Sequence, residues 1–452
     1  MSTEQPDRRT TPYMSSRRAY YGLAVLMLAF MVAMVDRVVL ALLVDPIQRD
    51  LGLSDTQFGL LNGLAFAVFY LVMALPIARL ADRRPRRLII ATGIAVWSVM
   101  TALCGMAQTV GHLFLARIGV GVGESALSPA AYSMMADMFP KEQLGRAFGI
   151  YNAGALVGFG ASLIVGGSVI AFIEGFPELS FPIVGVVRSW QAVFFAVALP
   201  GLVVALLMCT VAEPARRGLP PVAAACPKGE AAAAFGSYMR THRGFVAAYF
   251  LAFGCLGMVL YGALAWLPAL FTRSYGIDKS TAGIALGIGI GIASPLGAIF
   301  GGMLADRLTM RGRKDAPMIV GLVGSIAAFL FVIAAPIVPD WRLSILLICG
   351  LFFSLTMPTP VGPAGLQMIT PPGIRAQVTA AYVIVTGLAG MAIGSLAIGA
   401  LTDYVFQDKA AVGWSIMSFG AIVTPAMGLT FHRLRMNFAR MQIQYGTMAA
   451  DG

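Results

Sequence analysis

The chain has 452 residues, 58% of them hydrophobic and only 12% charged, and 32 Lys and Arg against 21 Asp and Glu give a net charge of +11. That is roughly half the charged share of an average soluble domain, too little to cover a chain of this length in water, so a soluble enzyme or nucleic-acid-binding protein is excluded despite the basic balance. Apolar stretches of roughly 20 residues, the length that crosses a bilayer's hydrocarbon core, recur instead from end to end.

In chain order, residues 1–19 form a polar, basic tail without the apolar core of a cleavable signal peptide. Apolar runs between charges and turn residues predict helices 1 to 6 at 20–44, 55–78, 88–108, 112–136, 145–170 and 190–212, a first six-helix bundle over 20–212. Residues 213–242, rich in Pro, Ala and charge, read as a cytoplasmic linker. Helices 7 to 12 follow at 243–272, 280–304, 316–337, 342–369, 374–402 and 411–433, a second bundle over 243–433, before a cytoplasmic tail at 434–452. With residue 1 inside, 24 of the 32 Lys and Arg fall on cytoplasmic segments. The outer loops hold Arg49, Arg188, Arg273, Lys279, Arg342 and Lys409. This bias places both termini in the cytoplasm.

Three landmarks recur at one offset: Gly59, Asp82 and Trp190 stand 224 residues before Gly283, Asp306 and Trp414. The segments GLSDTQFGL and GIDKSTAGI around the glycines align in the same register. A fixed period of this kind marks an internal repeat. The expected fold is all-α and integral to the membrane, twelve helices in two parallel six-helix repeats, the plan of major facilitator transporters.

The loop after helix 2 reads Ala78-Arg79-Leu80-Ala81-Asp82-Arg83-Arg84-Pro85-Arg86-Arg87, and its counterpart after helix 8 holds Asp306, Arg307, Arg311, Arg313 and Lys314. Both resemble the signature loop of the major facilitator superfamily, although Ala78 and Pro85 replace its usual glycines. The resemblance implies a cytoplasmic latch, with Asp82 facing the start of helix 11 near Arg375 and Asp306 facing the start of helix 5 near Arg146. An Asp at a helix N-terminus meets the positive end of the helix dipole there. Topology alone, basic residues holding a loop inside, is the plainer reading.

Ionisable groups inside apolar spans are costly and mark pathways or partners. Four occur, all in the first half: Asp36 and Arg37 on helix 1, Arg117 and Glu124 on helix 4. Arg117 and Glu124 are two helical turns apart and share a face. Depth counted from the outer ends places the helix 1 pair between them, which pairs Asp36 with Arg117 and Arg37 with Glu124. Carboxylates beside arginine in a low dielectric can carry protons, whereas the arginines stay charged and suit anions or counter-ions. A permanent ion-pair network is the structural alternative. Small residues at Gly119, Gly121 and Gly123 let another helix approach, and Pro129 can loosen helix 4 at mid-membrane.

The runs Asp36-Arg37-Val-Val-Leu40 to Ile47, LSDTQFGLLNGLAFAVFY, LARIGVGVGESALSPAAYSMMADMFP and RSWQAVF resemble the Spinster family, specifically over most of the first half and by general pattern over the second. The resemblance implies secondary transport of an amphipathic lipid, such as a lysophospholipid or sphingosine 1-phosphate, with functional charges at Asp36, Arg37, Arg117 and Glu124. It further implies a bacterial inner-membrane protein, expected as a monomer, with protons and membrane lipids as partners. Asp36 and Glu124 are the candidates for proton coupling; Arg37, Arg117 and Ser128 are those for the headgroup or counter-ion. Asn62, Tyr261, Trp266, Phe353, Met357 and Tyr382 are candidate pocket residues, although aromatic and Met stripes more often build a core. A proton-coupled symporter of small organic anions and a drug exporter are the alternatives. Five scattered cysteines (Cys104, Cys209, Cys226, Cys255, Cys349) and three histidines near loops (His112, His242, His432) offer neither metal-ligand spacing nor a nucleophile with a base. No metal, cofactor or enzymatic activity is expected.

Overall fold

The computed structural model of the protein describes residues 13–81, 84–174, 179–181, 185–216, 228–371 and 374–448. Among these, ten helices are long and apolar enough to cross a membrane. They are helix 1 (Ser16–Leu42), helix 2 (Asp55–Ala81), helix 3 (Arg86–Gly105), helix 6 (Ser189–Thr210), helix 7 (Arg243–Ser274) and helix 8 (Lys279–Met310), then helix 9 (Ala316–Ala334), helix 10 (Trp341–Met368), helix 11 (Gln377–Phe406) and helix 12 (Lys409–Gln442). Helix 4 supplies another crossing in two pieces, Val110–Glu124 and Leu127–Met138. Helix 5 runs from Lys141 to Glu174 with an apolar stretch at Val157–Ile173.

Several boundaries differ from expectation for local reasons. Helix 4 breaks at Ser125 and Ala126, one turn before Pro129, whose ring displaces the carbonyl four residues back. Helix 10 likewise opens around Met357 to Pro360, where Pro358, Pro360 and Pro363 crowd together. Helix 12 is continuous to Met448, well past 433. The linker contains a helix, Lys228–Thr241, and a small antiparallel hairpin pairs Leu179–Phe181 with Gly185–Val187 before helix 6. Below, the "linker face" is the end of the bundle carrying that linker helix; the "far face" is the opposite end, where helix 1 finishes.

The 224-residue register extends through backbone detail. Gly52 and Gly276 both adopt positive φ, 68° and 65°, in the turns before helices 2 and 8. Two residues on, Ser54 accepts from the Gln57 amide at 3.2 Å and Asp278 from the Thr281 amide at 2.8 Å, each capping the helix that follows. The next repeat glycines lie where the halves meet. A Cβ on Gly59 would sit 2.7 Å from the Ser395 carbonyl of helix 11, and one on Gly283 would sit 2.8 Å from the Leu163 carbonyl of helix 5. Gly63 and Gly287, also 224 apart, meet the Met391 and Gly160 carbonyls in the same way. Two seams, helix 2 on helix 11 and helix 5 on helix 8, thus join the halves backbone to backbone. The third landmark breaks the symmetry: Trp190 is buried and donates to Asp50 at 2.6 Å, while Trp414 is 52% exposed.

The seams predict a contrast between two glycines of helix 8. Gly287→Leu forces carbonyls apart and should lower stability by roughly 1–3 kcal/mol, the usual cost of overpacking. Gly302→Ala, with nothing within 4 Å of the added Cβ, should be neutral or slightly stabilising. Thermal unfolding of the purified variants measures both, and equal melting of Gly287→Leu and the parent would refute the seam.

Candidate functional site

Helices 1 and 4 bring the four buried charges together beneath the aromatic face of helix 2. Arg37 Nε donates to Glu124 Oε2 at 2.6 Å, with Glu124 wholly buried and the Arg37 side chain 16% exposed. The Arg37 guanidinium also lies 4.8 Å from the Phe66 ring and 4.9 Å from the Tyr70 ring, and these two rings stack on each other. Cation–π contact of this kind offsets part of the cost of desolvation. The Arg117 guanidinium lies 5.6 Å from the Phe66 ring and donates to the backbone carbonyl of Asp36 at 3.4 Å. Of the two side-chain pairings weighed from the sequence, Arg37 with Glu124 forms, whereas Arg117 reaches the Asp36 main chain. Asp36 Oδ1, Glu124 Oε1 and Arg117 Nε are buried without a hydrogen bond, although the Thr101 hydroxyl lies beside Asp36. A charged site with spare donors and acceptors is poised to receive something else.

One cavity borders this cluster and a second lies next to the first. A narrow one of about 50 Å³ is bounded by Arg37, Arg117, Asn62 and Phe66 from the first half and by Tyr261 and Ser395 from the second. A wide one of about 570 Å³ lies toward the linker face, walled by Tyr132, Leu260, Ile290, Phe352 and prolines of helix 10. Phe159 and Tyr261, with ring centroids 6.4 Å apart, border both. The pair forms a waist between a charged end and an apolar one.

The other predicted residues scatter. Ser128 lies on the second piece of helix 4 beside Tyr151. Trp266 is buried and donates to the Ser395 carbonyl at 2.9 Å, so it ties helix 7 to helix 11 and lines neither cavity. Phe353 faces a groove among helices 8, 9 and 10, and Met357 is buried against Ala305, Val320 and Val361. Tyr382 packs with Tyr249, Phe250 and Phe253. These four placements correct the expected pocket wall. In helix 10 it is the neighbouring Phe352 and Thr356 that reach the cavity, while the Phe353 and Met357 carbonyls lie against Gly297 and Gly301 of helix 8. Arg146, Asp306 and Arg307 are exposed, and Arg375 donates to the Thr370 carbonyl at 2.9 Å. No ion pair joins Asp306 to Arg146 among the described residues, and Asp82 and Arg83 lie outside them.

A polar cluster that the sequence did not single out closes the far face. Arg273, at the end of helix 7, pairs with Asp45 at 2.7 Å and with Asp55 at 2.8 Å and also donates to Gln48 at 3.0 Å. Asp403 of helix 11 accepts from the Thr56 amide at 2.6 Å, and Lys409 reaches Gln48 at 3.3 Å. Every one of these contacts crosses between the halves. Asp55 and Gln48 are buried, so the cluster is screened far less than a surface pair. Removing one partner of a buried pair strands the other charge and is strongly destabilising. Arg273→Ala should therefore open the far face. With Ala41, on the narrow cavity, changed to Cys in a background free of native cysteines, labelling by an impermeant maleimide from the far face should rise about tenfold or more. Unchanged labelling would show that the cluster does not hold this face shut.

The comparisons with known proteins agree with this architecture. The chain is 27% identical over 413 residues to an MFS-type efflux pump of Mycolicibacterium smegmatis, covering 91% of this chain and 90% of that protein. It is 25% identical over 303 residues to a probable L-galactonate transporter of Escherichia coli, covering 64% and 62% respectively. In fold it is similar to a bacterial homologue of the human lysosomal transporter Spinster, solved in an inward-facing and unoccupied conformation, with a TM-score of 0.77 and 24% identity over 96% of this chain and 99% of that one. The family description "Major Facilitator Superfamily" matches residues 25–395. With four-fifths of its length inside that match, the chain belongs to the Major Facilitator Superfamily and is a multi-pass membrane transporter, not an enzyme.

Proposed function

We propose that this transporter is a Spinster-type, proton-coupled carrier that moves an amphipathic lipid, of lysophospholipid or sphingosine-phosphate type, by alternating access. The observation that carries this reading is the adjacency of the two cavities: a narrow one bordered by two guanidiniums shares Phe159, Tyr261 and Leu264 with an apolar chamber of about 570 Å³. A lipid with a small anionic headgroup has the same division. The headgroup lies against Arg37 and Arg117, near Asn62, and the tail extends between Leu260, Ile290 and Phe352. Ser128 acts indirectly, through the Tyr151 neighbourhood. The likeness in fold to the Spinster homologue supports the assignment.

Asp36 and Glu124 carry the protons in this scheme. Each has a buried oxygen without a hydrogen bond, so each can accept a proton without breaking an existing contact. A headgroup that draws Arg37 from Glu124 leaves that carboxylate uncompensated in a low dielectric, which favours its protonation. The far face is the periplasmic side and the linker face the cytoplasmic side of a bacterial inner membrane, an orientation supported by the excess of Lys and Arg on linker-face segments. The working unit is a monomer. On the cytoplasmic side Asp82 with Arg375 and Asp306 with Arg146 latch the halves in the outward-facing state; Asp306 and Arg146, exposed and without an ion pair to each other among the described residues, fit a state in which that latch is released.

A second reading, proton-coupled symport of a small organic anion, is favoured by the identity to the probable L-galactonate transporter and by the small volume beside Arg37. Drug export is favoured by the likeness to the efflux pump. Acyl length separates them in proteoliposomes. A lysolipid series should gain about fourfold in apparent affinity for every methylene that enters the apolar chamber, and indifference to length would favour the small anion. In the same system Asp36→Asn and Glu124→Gln should each cut uptake driven by a pH gradient by about tenfold or more. Wild-type coupling in both variants would sink the proton scheme.

A further inference from the structure

Ser395 is one of three buried Ser and Thr hydroxyls among the described residues, with Ser98 and Thr101 of helix 3, that find no hydrogen-bond partner, and of the three it alone borders the narrow cavity. Ser162, Ser325, Ser354 and Thr424 each donate to the carbonyl four residues back, the ordinary way a helical hydroxyl is satisfied. The corresponding carbonyl for Ser395 belongs to Met391, inside a π-helical turn at Ala389–Ile393, and that oxygen packs on Gly63 of helix 2. Such turns alter local phase and recur at functional sites. Ser395 Oγ is buried and has no hydrogen-bond partner, on a residue that is 1% exposed and borders the narrow cavity opposite Arg37 and Arg117. Its main chain is held firmly in place: Trp266 donates to its carbonyl at 2.9 Å, and Gly59 lies directly against the same oxygen. A buried hydroxyl without a partner costs free energy unless something else satisfies it.

We infer that Ser395 is a headgroup-binding residue, donating from the second half to the same anionic group that the arginines of the first half engage. This deepens the proposed function and rests on its placement of the headgroup in the narrow cavity. The ligand class is an anion of carboxylate or phosphate size, since the cavity of about 50 Å³ holds little more. Ser395 also begins the stretch of helix 11 that seals the far face. Gly399 lies one turn further on against the Asp55 backbone, and Asp403 one turn beyond that binds Thr56. An anion bridging Arg37 to Ser395 therefore adds a ligand-dependent tie across the helix 2 and helix 11 seam. Occupancy of the site favours the closed far face through that tie.

The test uses the full-length transporter in nanodiscs and measures binding of three probe series, n-alkyl phosphates, n-alkyl carboxylates and n-alkyl maltosides, each with short, medium and long tails. Ser395→Ala should weaken binding of the phosphates, the carboxylates or both by about tenfold at every tail length, the scale of one hydrogen bond to a charged group. The uncharged maltosides should be unaffected. Ser395→Cys, which keeps a weak donor, should fall between the two. Equal anion affinities in the wild type and Ser395→Ala would overturn the assignment, as would an equal loss for the maltosides, since that would signal altered cavity shape. Failure of the wild type to bind any anionic probe would overturn it too. Indifference to tail length with a persistent Ser395→Ala loss would instead reject the lipid reading and leave the Ser395 site standing.

Discussion

The cost of holding charge inside a membrane-spanning bundle organises this molecule. An arginine or glutamate taken out of water loses several kcal/mol that a single partner does not fully return. Arg37 therefore takes three partners, the Glu124 carboxylate and the faces of Phe66 and Tyr70, and these fix helices 1, 2 and 4 against one another. Arg117 also lies over the Phe66 ring and reaches the Asp36 main chain. The glycines of helix 4 follow from this demand. Gly121 lies against the Phe66 backbone and Gly123 against Trp97 of helix 3, so the charged face can come close enough to be enclosed. Pro129 then ends the strict helical phase at Ser125 and Ala126, directly after Glu124.

Duplication and function pull this structure in opposite directions. The repeat preserves what both halves need, which is turn geometry at Gly52 and Gly276, caps at Ser54 and Asp278, and close backbone approach at Gly59, Gly63, Gly283 and Gly287. Nothing in those requirements calls for charge. The buried ionisable groups accordingly sit in one half only, and Arg37 has Tyr261 as its counterpart at the same register. That aromatic ring forms the waist between the two cavities. One seam also departs from the other: helices 2 and 11 meet through facing π-helical turns, whereas helices 5 and 8 are regular throughout. The seam that carries the π-helical turns is the one that borders the narrow cavity.

What could be read from the sequence followed from how unusual each signal was against its background. A charge within an apolar run is conspicuous, so Asp36, Arg37, Arg117 and Glu124 stood out, and their grouping followed from depth counting. Glycines and caps are local, so the repeat was legible down to single residues. Asp45, Asp55, Arg273 and Asp403 were not grouped because charge at a helix end is ordinary; they come together only through tertiary proximity across the halves. The pocket wall failed for a different reason. Helix 10 is apolar on every side, and choosing between Phe352 and Phe353 requires its rotational phase, which hydrophobic periodicity does not supply when the whole helix is buried in protein or lipid. The four-residue spacing of Gly297 and Gly301 marks the face of helix 8 that packs on helix 10 and leaves the phase of helix 10 itself open.

The far-face cluster and the central charges are linked by geometry that neither could supply alone. Arg273 closes over Asp45 and Asp55 at the end of helices 1 and 2, two turns above Arg37 on helix 1 and beside the start of the seam that descends to Gly63. Three carboxylates there (Asp45, Asp55, Asp403) face two cations (Arg273, Lys409), so the closed state is held by a cluster that is not charge-neutral. Its stability depends on orientation more than on net attraction, since each carboxylate is satisfied by a particular donor from the opposite half. Helix 2 and helix 11 share three bonds at Asp403, from the Asp55 and Thr56 amides and the Thr56 hydroxyl, so a rotation of one helix against the other would strain all three together. A seam of backbone-to-backbone contacts is well suited to transmit such a rotation, because carbonyl against glycine leaves no flexible side chain to absorb it.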